Sequence, residues 1–190
     1  MGPIANSTVI VCWVIFVWYW LISAVGGKKV AERQSVWSAL AHRIFVGMWW
    51  WFLVYPGPLP APLRARVLPH TDGVLATGAV LCVLGLVVTI WARRTLAGNW
   101  SSNVTFKQGH QLVRTGPYRF VRHPIYTGLL VMAAGSAVEI GQLRGGVGFI
   151  LLGIGFWIKL WQEERLLLRH FPEEYARYRK QVKALVPWIL

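Results

Sequence analysis

The 190-residue sequence predicts an all-α integral membrane protein with about five transmembrane helices. Three observations lead there. Hydrophobic residues make up 55% of the chain and charged residues only 14%, about half the share usual in a soluble domain. Twelve tryptophans are present, a residue that gathers at the headgroup level of a bilayer. Five apolar runs alternate with connections that are basic or rich in proline.

The first run spans Ala5 to Val25, close to the ~20 residues a spanning helix needs. No basic residue precedes it and further spans follow, so it reads as a retained span rather than a cleaved leader. The second run, Val36 to Tyr55, is interrupted by His42-Arg43, a pair that suits the interface. Pro56 to His70 holds five prolines and cannot form a regular helix, so it reads as an extended external loop. The third run is Asp72 to Trp91, and a long polar connection, Gly98 to His123, follows it.

The fourth run, Pro124 to Leu143, and the fifth, Val147 to Trp161, are separated only by Arg144 to Gly146. So short a link makes them a tight antiparallel hairpin. Glycines 128, 135, 148, 153 and 155 would let these two helices pack closely. After the hairpin, Pro172 opens a helix with Glu173 and Glu174 early and basic residues late, the order favoured by the helix dipole. Tyr175, Tyr178 and Val182 share one face. This tail is expected to be a cytosolic amphipathic helix that lies on the membrane or folds back on the hairpin. Residues 1–95 thus hold three spans. Residues 96–190 hold a loop, the hairpin and the tail, within a single membrane domain.

With five alternating spans, sixteen of the twenty Lys and Arg residues fall on one side. The positive-inside bias then puts the N-terminus outside and the C-terminus in the cytosol. The net charge of +13 is explained by those loops, and no single basic face points to nucleic acid. Cys12 and Cys82 both lie in apolar runs, which argues against a disulfide framework or a zinc site, and the scattered histidines form no metal pattern.

The hairpin carries the functional expectation. The fourth helix begins and the fifth ends on the cytosolic side, so Arg122, His123 and Tyr126 should lie near Lys159, Gln162, Glu163 and Glu164. Proline suits a first helical turn, and His123 before it is pushed out of helix, toward the space at the helix start. Glu163 and Glu164 point about 100° apart, so one should face inward while the other pairs with a base at the surface. Lys159 shares a face with Glu163. An intramembrane carboxylate is costly unless partnered, and such groups are functional candidates. On the residues alone, a structural reading of these groups as caps, salt bridges and lipid contacts stays open.

The segments "LVRTGPYRFVRHPIYTG" and "EERLLLRHFPEEYARYRKQV", joined by the hairpin, resemble the isoprenylcysteine carboxyl methyltransferase family. The resemblance covers about Gly98 to Pro187. It implies an integral membrane enzyme that uses S-adenosylmethionine and methylates the carboxylate of a prenylcysteine-like or other lipophilic acceptor. The acceptor would arrive from the bilayer, with membrane lipid as its surroundings. By position the resemblance assigns the cofactor to His110, Gln111, Leu112, Val113, Tyr118, His123, Pro124, Ile125, Tyr126 and Glu163. The family places an arginine one turn before the first glutamate, where this chain has Lys159. Lysine keeps the charge but not the planar fork, and Arg122 or Arg43 could compensate in holding the acceptor. The five-span form resembles a short prokaryotic member in a cell membrane. Two other enzyme readings share parts of the pattern: a phospholipid N-methyltransferase and an NADPH-dependent sterol-type membrane reductase. A membrane scaffold without catalysis is a further alternative.

Overall fold

The computed structural model describes residues 2–24, 30–33, 36–54, 59–96, 105–107 and 112–187. Five long helices form where the apolar runs predict them: α1 (Gly2–Ala24), α2 (Val36–Val54), α4 (Asp72–Leu96), α5 (Pro124–Ile140) and α6 (Leu143–His170). A single turn, α3 (Ala61–Arg64), interrupts the proline-rich loop, with Pro62 in its first turn, where a missing N–H costs nothing. The tail helix is α7 (Pro172–Gln181). α4 and α6, with 25 and 28 residues, are long and apolar enough to cross a membrane.

Helix dominates, as expected, with one addition. Strands β1 (Val30–Arg33) and β2 (Thr105–Lys107) form a short antiparallel ribbon. These connections leave helical structure, and pairing them satisfies backbone groups that would otherwise need other partners.

The hairpin turn lies earlier than expected. Gly141, with φ of 60°, closes α5 in the left-handed conformation that favours glycine, and α6 begins two residues later. Arg144, Gly145 and Gly146 are therefore helical. The early start lengthens the fifth span and carries Glu163 and Glu164 within the same continuous helix. The proline-rich loop straps this turn: Val67 N–H donates to the Gly141 carbonyl at 2.8 Å, and Leu143 N–H to that of Ala65 at 3.0 Å.

The glycines also act differently from the expectation. Gly128 and Gly135 face α4, not α6. A Cβ on Gly85 would sit 2.5 Å from the Gly128 carbonyl oxygen, and one on Gly78 would sit 2.7 Å from that of Gly135. The two helices thus cross with backbone against backbone, and the register of these pairs makes them antiparallel. Gly148 receives Trp49 and Phe52 of α2 instead, and a Cβ on Gly153 would meet nothing within 4 Å. Packing density within the bundle comes mainly from the α4–α5 crossing, with α2 on α6 and α1 on α4. Trp13 of α1 donates to Ser136 of α5 at 3.0 Å, which satisfies both polar groups inside the apolar core. Cys12 and Cys82 are buried free thiols.

α7 folds back on the hairpin. Tyr175 and Tyr178 are 1% and 3% exposed. The segment beyond α7 then runs beside the loop before α5. Arg122 N–H donates to the Lys183 carbonyl at 2.8 Å, His123 N–H to that of Ala184 at 3.0 Å, and the Thr127 hydroxyl to that of Leu185 at 2.7 Å.

Candidate active site

The two-residue turn at the far end brings the start of α5 against the last turns of α6. Tyr126, in the first turn of α5, donates its hydroxyl to Glu163 at 2.5 Å. Its ring stacks on Phe156 at 5.0 Å between centroids, and the Lys159 ammonium lies 5.6 Å from the same ring. His123 also stacks on Tyr126, at 5.7 Å between centroids.

His123 is 7% exposed and stands between two carboxylates. Its Nδ1 lies 3.6 Å from Glu163 and its Nε2 3.3 Å from Glu164. One imidazole therefore spans the 100° that separates adjacent helix residues, so both glutamates reach a single centre. Burial opposes protonation of this ring. Hydrogen bonds to Glu163 and Glu164, with the charges of both, outweigh burial and hold His123 above its ordinary 6.5.

Glu164 was expected at the surface if Glu163 turned inward, yet it is 6% exposed. Arg122 donates to it through Nε at 2.9 Å and Nη2 at 2.5 Å, and Arg179 of α7 approaches its other oxygen at 3.2 Å. Arg122 also donates to the Val182 carbonyl. Its guanidinium is thus committed to the protein itself, in a buried joint that ties the loop, α6 and the tail together. The guanidinium expected to help hold an acceptor is here paired with Glu164. The planar fork suits a carboxylate, and burial beside Glu164 leaves no other low-cost arrangement for either charge.

Tyr118 sits in a 3-10 turn, Gly116–Arg119, and is 7% exposed. Burial pushes its phenol up, and its backbone carbonyl accepts the Tyr178 hydroxyl at 2.5 Å. Leu112 and Val113 are half-buried beside it, while Pro124 and Ile125 are buried in the first turn of α5. His110 and Gln111 lie outside the described residues. Tyr118, His123, Tyr126, Lys159 and Glu163 thus gather at one end of the bundle, and Arg43 is exposed on α2. Arg179 and the carbonyls after α7 were not foreseen. Nothing in the tail sequence beyond the fold-back of Tyr175 and Tyr178 marks them.

The sequence pattern of the isoprenylcysteine carboxyl methyltransferase family matches residues 78–169, which contain the α4–α5 crossing and the whole hairpin. The match takes in just under half of this chain, and through it the chain is similar to the isoprenylcysteine carboxyl methyltransferase family. A probable protein-S-isoprenylcysteine O-methyltransferase of Oryza sativa subsp. indica is 30% identical over 115 residues, covering 59% of this chain and 60% of that one. The human protein-S-isoprenylcysteine O-methyltransferase is 32% identical over 116 residues, covering 60% of this chain but 41% of its own. The chain therefore spans between about two and three fifths of these relatives. The solved eukaryotic intramembrane Ras methyltransferase of the family superposes with a TM-score of 0.56 at 22% identity, over 84% of this chain and 55% of that one. The likeness extends the shared helical membrane fold beyond the matched segment.

Proposed function

We propose that this chain is an S-adenosylmethionine-dependent membrane methyltransferase acting on the carboxylate of a prenylcysteine-like or other lipophilic acceptor. The observation that carries the reading is the doubly bridged His123. An imidazole held between Glu163 and Glu164, stacked on Tyr126, makes a polar site at the end of an apolar bundle. The donor set has the chemistry that S-adenosylmethionine requires. Glu163 offers a carboxylate for an ammonium or for ribose hydroxyls. The rings of Tyr126 and Phe156 suit a sulfonium or a purine. The bound cofactor would supply an activated methyl group, so the protein's part is to orient and desolvate.

Lys159 is the group we assign to the acceptor carboxylate. It is 8% exposed and lies on the same helix face as Glu163, one turn deeper in the bundle. An ionised carboxylate needs no general base, and the site has little to offer as one. Both ring nitrogens of His123 face carboxylates, and Glu164 is engaged by two arginines. A phospholipid amine would have to lose a proton first, so this arrangement favours the carboxylate. Arg122 acts as a positioning residue, fixing Glu164 and through it His123. Five spans with the C-terminus in the cytosol would put the site at the cytosolic mouth, open to a polar cofactor from water and a lipid tail from the bilayer. The charge bias of the loops supports that orientation.

The test is calorimetry on detergent-purified protein with S-adenosylhomocysteine and with NADPH. Binding of the first alone is expected. Binding of NADPH alone would replace this reading with the reductase, and binding of neither would favour a scaffold.

A further inference from the structure

α6 carries a second pattern, on a face separate from the site. Ile150, Ile154, Trp157, Trp161, Arg165 and Arg169 recur every three or four residues and so form one line along the helix. The four apolar members are 61%, 43%, 53% and 52% exposed, and both arginines are exposed. The line is ordered along the helix: aliphatic, then indole, then guanidinium. No acidic residue interrupts it.

That order matches the profile of a bilayer leaflet. Aliphatic side chains suit the acyl region, indoles the interface and guanidiniums the phosphate level. At ~1.5 Å per residue, Arg165 lies ~6 Å and Arg169 ~12 Å beyond Trp161 along the axis. The polar layer on each side of a bilayer is roughly 5–8 Å thick, so the Arg165 backbone falls within it and that of Arg169 just beyond it, from where a long side chain can reach back to the phosphate level. The Arg165 guanidinium stacks 3.5 Å from the Trp161 ring centroid, which fixes its plane against the indole. α4 repeats the order on its own exposed face with Val80, Leu84, Val87, Trp91 and Arg94. α4 and α6 are both antiparallel to α5, so the two Trp-Arg ends lie on the same side of the membrane as the site.

We infer that the Trp161–Arg165–Arg169 line of α6 is a docking surface for an anionic phospholipid headgroup in the leaflet next to the site, with the acyl chains along Ile150 and Ile154. Two guanidiniums complement a phosphate diester with no competing cation of its own. A zwitterionic headgroup would bring a cation against Arg169. The inference rests on the membrane setting and not on methyl transfer.

The test is native mass spectrometry of the full chain released from detergent, with dioleoylphosphatidylglycerol and dioleoylphosphatidylcholine offered in equal amounts. Unmodified protein should retain the glycerol lipid in preference by about tenfold or more, and Arg165→Gln/Arg169→Gln should remove that preference. Arg64→Gln, on the opposite side of the bundle, should keep it. Equal retention of the two lipids by the unmodified protein would overturn the inference. So would a preference that survives in the double variant or disappears with Arg64→Gln. Lipid retention is read without turnover, so it stands or falls separately from the methyltransferase reading.

Discussion

Glu163→Gln tests the site most directly. Glu163 accepts the Tyr126 hydroxyl at 2.5 Å, lies 3.6 Å from His123 Nδ1 and is 24% exposed in its side chain. Glutamine has nearly the same shape and keeps a carbonyl oxygen for Tyr126, so the hairpin should remain folded. What is lost is the negative charge. S-Adenosylhomocysteine retains the ammonium and ribose hydroxyls that a carboxylate would hold. A hydrogen bond to a charged group contributes about 1.5–3 kcal/mol, which corresponds to roughly 10- to 150-fold in Kd. Calorimetric titration of this product into wild type and variant measures the ratio, and a thermal melt of each checks the fold. Glu139→Gln, at the opposite end of α5, serves as the control and should leave Kd unchanged. An unaltered Kd for Glu163→Gln, with the melting temperature preserved, would refute the placement of the cofactor beside this carboxylate.

Three further outcomes follow from the same geometry. Arg122→Ala should destabilise the protein by about 3 kcal/mol, the lower part of the range for breaking a buried ion pair, because Glu164 keeps Arg179 and His123; chemical denaturation would measure it, and an acceptor KM defect without loss of stability would instead return Arg122 to the substrate. Gly85→Ala places a Cβ 2.5 Å from the Gly128 carbonyl oxygen and 2.6 Å from the Met132 nitrogen, and should cost about 1–3 kcal/mol or more, whereas Gly153→Ala, with open space around it, should melt like wild type. His123 is held above 6.5, so its protonated form contributes stability that is fully present below that value and fades as pH rises through the raised folded value; the melting-temperature gap between wild type and His123→Gln should narrow on going from about pH 6 to about pH 9, and a constant gap would contradict the charged imidazole.

The ends of the bundle separate what was legible in the chain from what was not. Helix positions followed from apolar run length, and Pro124 and Pro172 marked their own helix starts, because those signals are local. The meeting of His123 and Tyr126 with Glu163 was also legible, since a short link between two helices leaves one antiparallel arrangement. The turn itself was misplaced by a few residues: three small or basic residues in a row resemble a loop, yet Gly141 is the position with the left-handed backbone, and Gly145 packs on Ala137 within the helix.

The sequence by itself pointed to a helical membrane protein, the hairpin and the family that its C-terminal half resembles, because composition, spacing and motif are properties of the chain. Only the tertiary structure decided which partners each group takes. Glycine spacing shows that a helix can be approached closely but not by which neighbour, and here α4 fills that place on α5. Arg122 carries the same charge wherever it lies. Burial against Glu164, with the tail carbonyls around it, makes it a joint of the fold. Likewise, the two glutamates were set 100° apart by the helix, and it took the position of one imidazole between them to make a single site.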